Sequence, residues 1–470
     1  MQEKCQKGRK QKGRAMAMPD ELRDKDWLSA VLAAVQSAVQ AGDAERLTLM
    51  LDPLHAADIA DVLEQIGSAE RRALLALWSR QIDGDILSEI DESIREEVIE
   101  ALPHGVLSDA VRDLDSDDVI DILEDLDAPQ QEAILDALDA VDRIAVQAAL
   151  AYPMGSAGRL MQRETVALPQ DWTVGQAIDH LRSAQILPDQ FYHVILIDPR
   201  ARPTGHVTLG RILSAQRDTA LAALGEESFR TIPALKSEAD VAYFFNQYHL
   251  ISAPVVDEAG RLVGVITIDD AMNVLDEQHE EDMLRMAGVG DSSAMTDGAL
   301  ATMRQRLPWL VVNLFTASLS AMVITQFQAT IAQLVLLAAL MPIVASTGGI
   351  AGTQSLAVSV RALATRSLTA ANARRVVLRE LLAGLLSGAA LAVILALAAL
   401  AVFGNWHLGA VLGLAMLATL VVSALGGVLV PLGLQRLGLD PALASGTFVT
   451  TLTDVLGYLT FLGLATWMLL

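Results

Sequence analysis

The sequence predicts a multidomain membrane protein: an all-α amino-terminal superhelical repeat domain, an α/β segment of two similar copies, a connector helix and a five-helix transmembrane domain. Three observations carry this. Five apolar runs of at least about 20 residues, the minimum for crossing the hydrocarbon core, lie beyond residue 306. Strand-like and helical runs alternate between Gly155 and Leu275. The stretch before them is helical in period and repeats itself.

Charge divides the 470 residues near position 300. From 301 onward there are three acids (Glu380, Asp440, Asp454), eight arginines and no lysine, hence a charge of +5, so the first 300 residues carry −28 of the total −23. Such acidity argues against nucleic acid as a partner and suits divalent cations or plain solubility. Cys5 is the single cysteine, which excludes an intrachain disulfide and a Cys-rich metal site. There is no Gly-x-Ser-x-Gly, no Walker loop and no His-rich cluster, so no motif calls for an enzyme.

Residues 1–26 read as a disordered basic tail: Lys4, Lys7, Arg9, Lys10, Lys12 and Arg14 are followed by the charged Pro19–Asp26 stretch, not by a signal-peptide core. Residues 27–152 are short helices with apolar residues three and four apart. The run Leu54 to Ile66 matches Leu114 to Leu126 at an offset of 60, and such repeats stack helix pairs into a superhelix. Asp117 and Asp121, four apart, share a helix face, where carboxylates repel unless a cation or basic partner lies between them. A solvated face is the plainer reading.

In residues 153–275, Phe191–Asp198 reads as a strand, and Gly205–Arg211 leads from strand into helix. Ser252–Asp270 repeats the plan as strand, Gly-containing turn, strand and helix entry. These segments resemble a tandem pair of CBS domains. The resemblance implies that Thr267 and Asp270 hold the ribose of ATP or another adenosine nucleotide. In the first copy Thr208 matches, but Arg211 replaces the acid. The alternative is a pair that only transmits shape and dimerises.

Residues 276–306 form an acidic connector helix with a break near Gly288 to Gly290. The five spans of the 307–470 transmembrane domain then run over Leu307–Phe327, Ile331–Val360, Leu381–Phe403, Leu408–Leu434 and Ala442–Leu470. All eight arginines fall on one side if the amino terminus is cytoplasmic and the carboxyl terminus outside.

Two spans carry polar features. Span two contains Pro342, Ser346, Thr347, Gly348, Gly349, Gly352, Thr353 and Gln354. Either it has non-helical backbone lining water or it is a Gly-rich packing seam. In the last span Asp454 shares a face with Thr447, Thr451 and Tyr458, with Thr450 one turn before it. An ionised group at the bilayer centre costs at least about 3 kcal/mol, so such residues face a water-filled path or a partner. The stripe reads as a cation pathway; helix pairing through hydrogen bonds, or a proton relay, stays open.

The order of acidic repeat, CBS pair, connector and five spans resembles the MgtE family of bacterial magnesium channels from about residue 27 onward. Span two resembles the family's Pro-x-x-x-x-x-Gly-Gly-Asn-x-Gly-x-Gln signature, with Ile350 in place of Asn, and Asp440–Asp454 resembles its last helix, with Thr447 where Pro is common. The resemblance implies a homodimer in the bacterial inner membrane, in contact with the lipid bilayer. Its ion path is formed by Asp454, Thr450, Thr451, Gly348, Gly349, Gly352 and Gln354. It further implies cytoplasmic Mg2+ at Asp117, Asp121, Asp270, Glu281 and Asp282, holding the channel closed. Asn273 and Gln278 stand where relatives carry acids. The rival readings are transport of Co2+ or another divalent ion, coupling to protons through Asp454, and a membrane-anchored Mg2+ or nucleotide sensor that does not conduct.

Overall fold

The computed structural model describes residues 25–112, 114–124, 126–183, 187–188, 191–226, 229–289, 299–369, 371–442 and 445–470. The basic segment 1–24 and the second glycine of the expected connector break, Gly290, lie outside them. The chain divides into two compact units at Leu275–Asp276.

The first unit opens with ten helices among the described residues: α1 (Lys25–Ala41), α2 (Ala44–Leu51), α3 (Ala56–Gln65), α4 (Ser68–Trp78), α5 (Gly84–Ser88), α6 (Glu92–Ala101), α7 (His104–Arg112), α8 (Ser116–Glu124), α9 (Ala128–Ala137) and α10 (Ala140–Ala149). Acids start many of them. Asp43, Asp83, Asp91 and Asp127 each accept a backbone N–H in the first turn that follows, satisfying donors that a helix leaves unpaired.

The repeat is structural as well as textual, because α8 and α9 stand sixty residues after α3 and α4. Ile59, Val62, Leu63 and Ile66 are buried in one copy, and Val119, Ile122, Leu123 and Leu126 in the other. The polar fastening repeats too. Arg71 donates to the carbonyls of Leu63 (2.8 Å) and Ile66 (3.0 Å), and Gln131 donates to those of Leu123 (2.8 Å) and Leu126 (3.0 Å). Different side chains thus close the same helix end.

After α11 (Ala157–Leu160) come β1 (Ala167–Pro169), α12 (Val174–Ser183), β2 (His193–Ile197), β3 (Pro203–Thr208) and α13 (Leu209–Ser214), then β4 (Ile232–Pro233), α14 (Glu238–Tyr248), β5 (Ser252–Val256), β6 (Leu262–Thr267) and α15 (Ile268–Met286). The strands form two three-stranded sheets, β1-β2-β3 and β4-β5-β6, each with one parallel and one antiparallel pair. Even the irregularities correspond, with register shifts at Leu196/Ile197 and Val255/Val256. Residues 156–162 join the second copy, not the first that follows them. Ala157 and Gly158 donate to the Lys236 and Ala234 carbonyls, and Gln162 exchanges two backbone bonds with Val265.

The second unit begins inside α15, which ends at Gly288 (φ 72°). There Gly288 and Val289 donate to the carbonyls of Arg285 and Leu284, the left-handed glycine termination common to helices. α16 (Ala299–Gln326), α17 (Gln328–Gln333), α18 (Leu336–Ala364), α19 (Ala373–Phe403), α20 (Trp406–Arg436) and α21 (Ser445–Leu469) follow. Five of these six, all but α17, are long and apolar enough to cross a membrane. Span two starts at Leu336, later than Ile331, because α17 and a turn at Leu334 take up the preceding residues. Small residues let the helices close up. A Cβ on Gly384 would stand 2.8 Å from that of Ala424, and one on Gly409 would stand 2.8 Å from the Ala396 carbonyl oxygen, which is the close approach that packs helices in lipid.

Candidate functional site

α18 is helical throughout, across Pro342 and all three glycines. The two readings of span two therefore separate: its backbone does not unwind, and Gly348 and Gly352 are buried in a packing seam. A Cβ on Gly348 would meet Thr419 Cγ2 at 2.5 Å, and one on Gly352 would meet Val449 Cγ1 at 2.7 Å. Contact with α20 and α21 compensates the glycines' weak helix preference. The opposite face of α18 is uncovered. Ser346, Ile350, Thr353 and Gln354 are exposed there, and nothing stands within 4 Å of a Cβ built on Gly349.

Asp454 is half-buried near the middle of the 25-residue α21. Among the described residues, no ion pair or hydrogen bond engages its carboxylate. Thr450 and Thr451 donate their hydroxyl protons to the carbonyls of Gly446 (2.9 Å) and Thr447 (2.7 Å). Each hydroxyl oxygen keeps lone pairs that can accept from water. The stripe is therefore rich in oxygen acceptors.

In the first unit, α8 brings a second set of acids toward the start of α15. Thr267, the last residue of β6, donates its hydroxyl to Asp270 (2.7 Å) and also to Asp269, and its N–H to Asp270 (3.3 Å). The location of α8 is secured through residues 159–164. Arg159 pairs with Glu124 (2.6 Å), Ser116 Oγ donates to Glu164 (2.8 Å), and the Arg163 N–H donates to Ser116 Oγ (2.9 Å).

This arrangement crowds like charges. Burial first, then Asp270, Asp118 and Asp115, push Asp117 well above the usual carboxylate range. Asp118 is pushed up to about 7 by burial, Asp270, Asp115, Asp121 and Asp269. Burial raises Asp270 to about 6, with Asp269 and Asp115 adding to it and the Thr267 bonds opposing. Asp115, Asp118 and Asp269 were not singled out in the sequence. The run Asp115-Ser-Asp-Asp118 and the pair Asp269-Asp270 were the available signal, but a helical wheel does not say which members meet.

The other expected acids are differently placed. Asp121 is paired with buried Arg95 at 2.8 Å, so a basic partner stands where a cation was one option. Glu281 pairs with Arg285 at 3.0 Å. Asp282 is raised by burial and by Asp440, while Arg285 and His279 pull it down. Among the described residues no three His, Cys, Asp or Glu side chains form a closed metal-ligand group.

Thr267 and Asp270 thus belong to two expected sites, nucleotide and metal, which compete for one carboxylate. In the first copy Arg211 donates to the Leu224 carbonyl (3.0 Å) and stands 3.9 Å from Glu226. A guanidinium held there offers no acceptor to a ribose diol, in contrast to Asp270 of the second copy.

Family models match three stretches: a divalent cation transporter (MgtE) at residues 341–464, the MgtE intracellular N domain at 54–155 and a CBS domain at 228–277. The chain is 30% identical over 417 residues to the magnesium transporter MgtE of Bacillus subtilis, covering 89% of this chain and 92% of that one. It is 30% identical over 439 residues to the magnesium transporter MgtE of Thermus thermophilus, covering 92% and 97%. Among solved structures, it resembles the cytosolic domain of the Mg2+ channel MgtE in complex with ATP at 28% identity and a TM-score of 0.48, over 52% of this chain and 99% of that one.

Proposed function

The chain belongs to the MgtE family of magnesium transporters, and on that premise we propose that it is a Mg2+ channel whose path runs past Asp454 and is closed by cytoplasmic Mg2+. One observation carries the reading. Asp454 is a carboxylate deep in a membrane helix with no protein counter-charge among the described residues. The counter-charge then comes from the transported ion, and a half-exposed face with Thr450 and Thr451 offers oxygen to a hydrated divalent cation.

The path needs a second copy of the chain. The uncovered face of α18, with Gly349, Thr353 and Gln354, is too polar to rest against lipid. A homodimer that turns these faces toward each other in the bilayer encloses them and doubles the carboxylates. Gly348 and Gly352 serve the path by holding α18 against α20 and α21. The arginines at the end of α18, in the following loop and at the start of α19 (Arg361, Arg366, Arg374, Arg375, Arg379) support a cytoplasmic amino terminus and a carboxyl terminus outside the inner membrane.

Closure follows from the acid cluster. Mg2+ between α8 and Asp270, with Glu281 and Asp282 as further acids, screens repulsion that otherwise loosens the cytoplasmic segments. The ion must bind the closed state more tightly than the open one, because equal affinity shifts nothing. An adenosine nucleotide would be held at Thr267 and Asp270 through its ribose, altering the same balance.

The test is Mg2+ flux into liposomes containing the full chain at low internal Mg2+, wild type beside Asp454→Ala, with Co2+ run separately. Flux abolished in the variant supports the path, and the ratio of the two ions reads the effect of Ile350. No flux from a folded wild-type dimer, where a relative conducts, favours the non-conducting sensor.

A further inference from the structure

The end of α15 is fastened to the membrane bundle by one guanidinium. Arg285 Nη1 lies 2.7 Å from Asp440 Oδ2, while Nη2 lies 3.0 Å from Glu281 Oε2. The other oxygen of Asp440 accepts the Ala442 N–H at 2.8 Å, so this carboxylate also shapes the turn that leads into α21. Met286, the next residue, packs with Leu356 and Val360 of α18, Val430 of α20, Ala442 in the turn before α21 and Val449 of α21. Its carbonyl oxygen lies 3.2 Å from where a Cβ on Gly446 would stand. The start of α21 therefore cannot swing away from α15 without breaking the Arg285–Asp440 pair.

We propose that Arg285 is a built-in counter-cation that positions the gate. It holds the end of the connector on the entrance of α21 with no metal bound. Without it, Glu281, Asp282 and Asp440 would bring three negative charges to one joint. A planar guanidinium bonded to two carboxylates fixes geometry as well as charge. Arg95 does the same for Asp121 in the first unit, so two of the five acids expected to bind Mg2+ carry an arginine instead. Closing by Mg2+ then acts on the three expected acids without a paired arginine, Asp117, Asp270 and Asp282, against a joint that is already half made. This inference rests on the channel reading above.

The experiment uses the full chain in liposomes and titrates internal Mg2+ for wild type, Arg285→Gln, Asp440→Asn and the double variant. Each single variant is expected to raise the half-closing Mg2+ at least about threefold, and the double variant no further than the larger single effect, as expected of coupled partners. A spin label at Met283→Cys in a Cys5→Ala background reads the joint without flux. It is expected to be immobile in Mg2+-free wild type and mobile in Arg285→Gln. Unchanged half-closing Mg2+ together with an equally immobile label would overturn the proposal. If the wild type does not conduct, the channel reading fails and the label alone decides the role of Arg285.

Discussion

His193 and Ser252 hold the same register position in the two CBS copies, opposite Thr208 and Thr267 respectively, and they hydrogen-bond to each other at 2.7 Å. Contact between equivalent residues means that the two copies meet across a local pseudo-two-fold axis. On the His193 side the ring of His206 lies 4.5 Å away, and His206 in turn faces Glu226 at 3.5 Å.

That joint predicts a pH dependence. Burial holds both imidazoles below their ordinary range; for His193 the neighbouring His206 adds to this, and for His206 Glu226 opposes it. Groups whose folded value is depressed bind fewer protons folded than unfolded, so their stability is present above about pH 6.5 and lost as the pH falls through it. Between pH 7.5 and 5.5 the wild type should lose more thermal stability than His206→Gln. At about 2–4 °C for each 1 kcal/mol the difference is measurable by calorimetry. Parallel losses in both proteins would contradict it.

The acid cluster predicts the response to charge removal. Asp118→Asn should melt higher than wild type in chelator, because it relieves repulsion from Asp270 and Asp115. Mg2+ at about 100 times its dissociation constant should stabilise wild type by about 2.7 kcal/mol, and the variant by less than half of that. Equal increments in the two would remove Asp118 from the site.

The packing seam separates three glycines that look alike in sequence. Gly348→Ala and Gly352→Ala insert a Cβ where 2.5 and 2.7 Å are available, and each should cost about 1–3 kcal/mol. Gly349→Ala meets open space and should gain up to about 1 kcal/mol from helix propensity. Detergent melts followed by size-exclusion fluorescence rank the three. An equal loss at Gly349 would mean that a second copy packs against that face.

The fastened helix ends predict a matched pair of losses. Gln131→Ala strands the carbonyls of Leu123 and Leu126 and should cost about 1–3 kcal/mol. Arg71→Ala should cost at least as much, since Glu97, 2.5 Å from Arg71, loses a partner too. Chemical denaturation of the two variants checks the order.

The long-period features were legible in the sequence. Five apolar runs, a 60-residue repeat and two strand-turn-strand copies are set by hydrophobic spacing, which the fold must obey. The glycine-rich stretch was not, because glycine serves a bent backbone and a tight seam equally, and only the neighbours Thr419 and Val449 decide. Pairing of acids escaped the sequence reading even where it is local, as for Glu281 and Arg285 four residues apart, since Glu281 was expected to bind Mg2+. It was hidden also where it joins distant helices, as for Arg95 with Asp121. In that second case, whether an acid awaits a cation or already has one is a long-range property.

The attachment of residues 156–162 to the second copy makes the order of the chain differ from its order as a mechanical linkage. The helical repeat domain is tied by Ala157, Gly158 and Gln162 to the same copy from which α15 departs as a continuation of β6. A displacement of that domain reaches the connector through the second copy and the start of α15, and the first copy is a side branch off the line of force. Its His193 contact then acts as an outrigger, setting the stiffness of the lever without carrying its load.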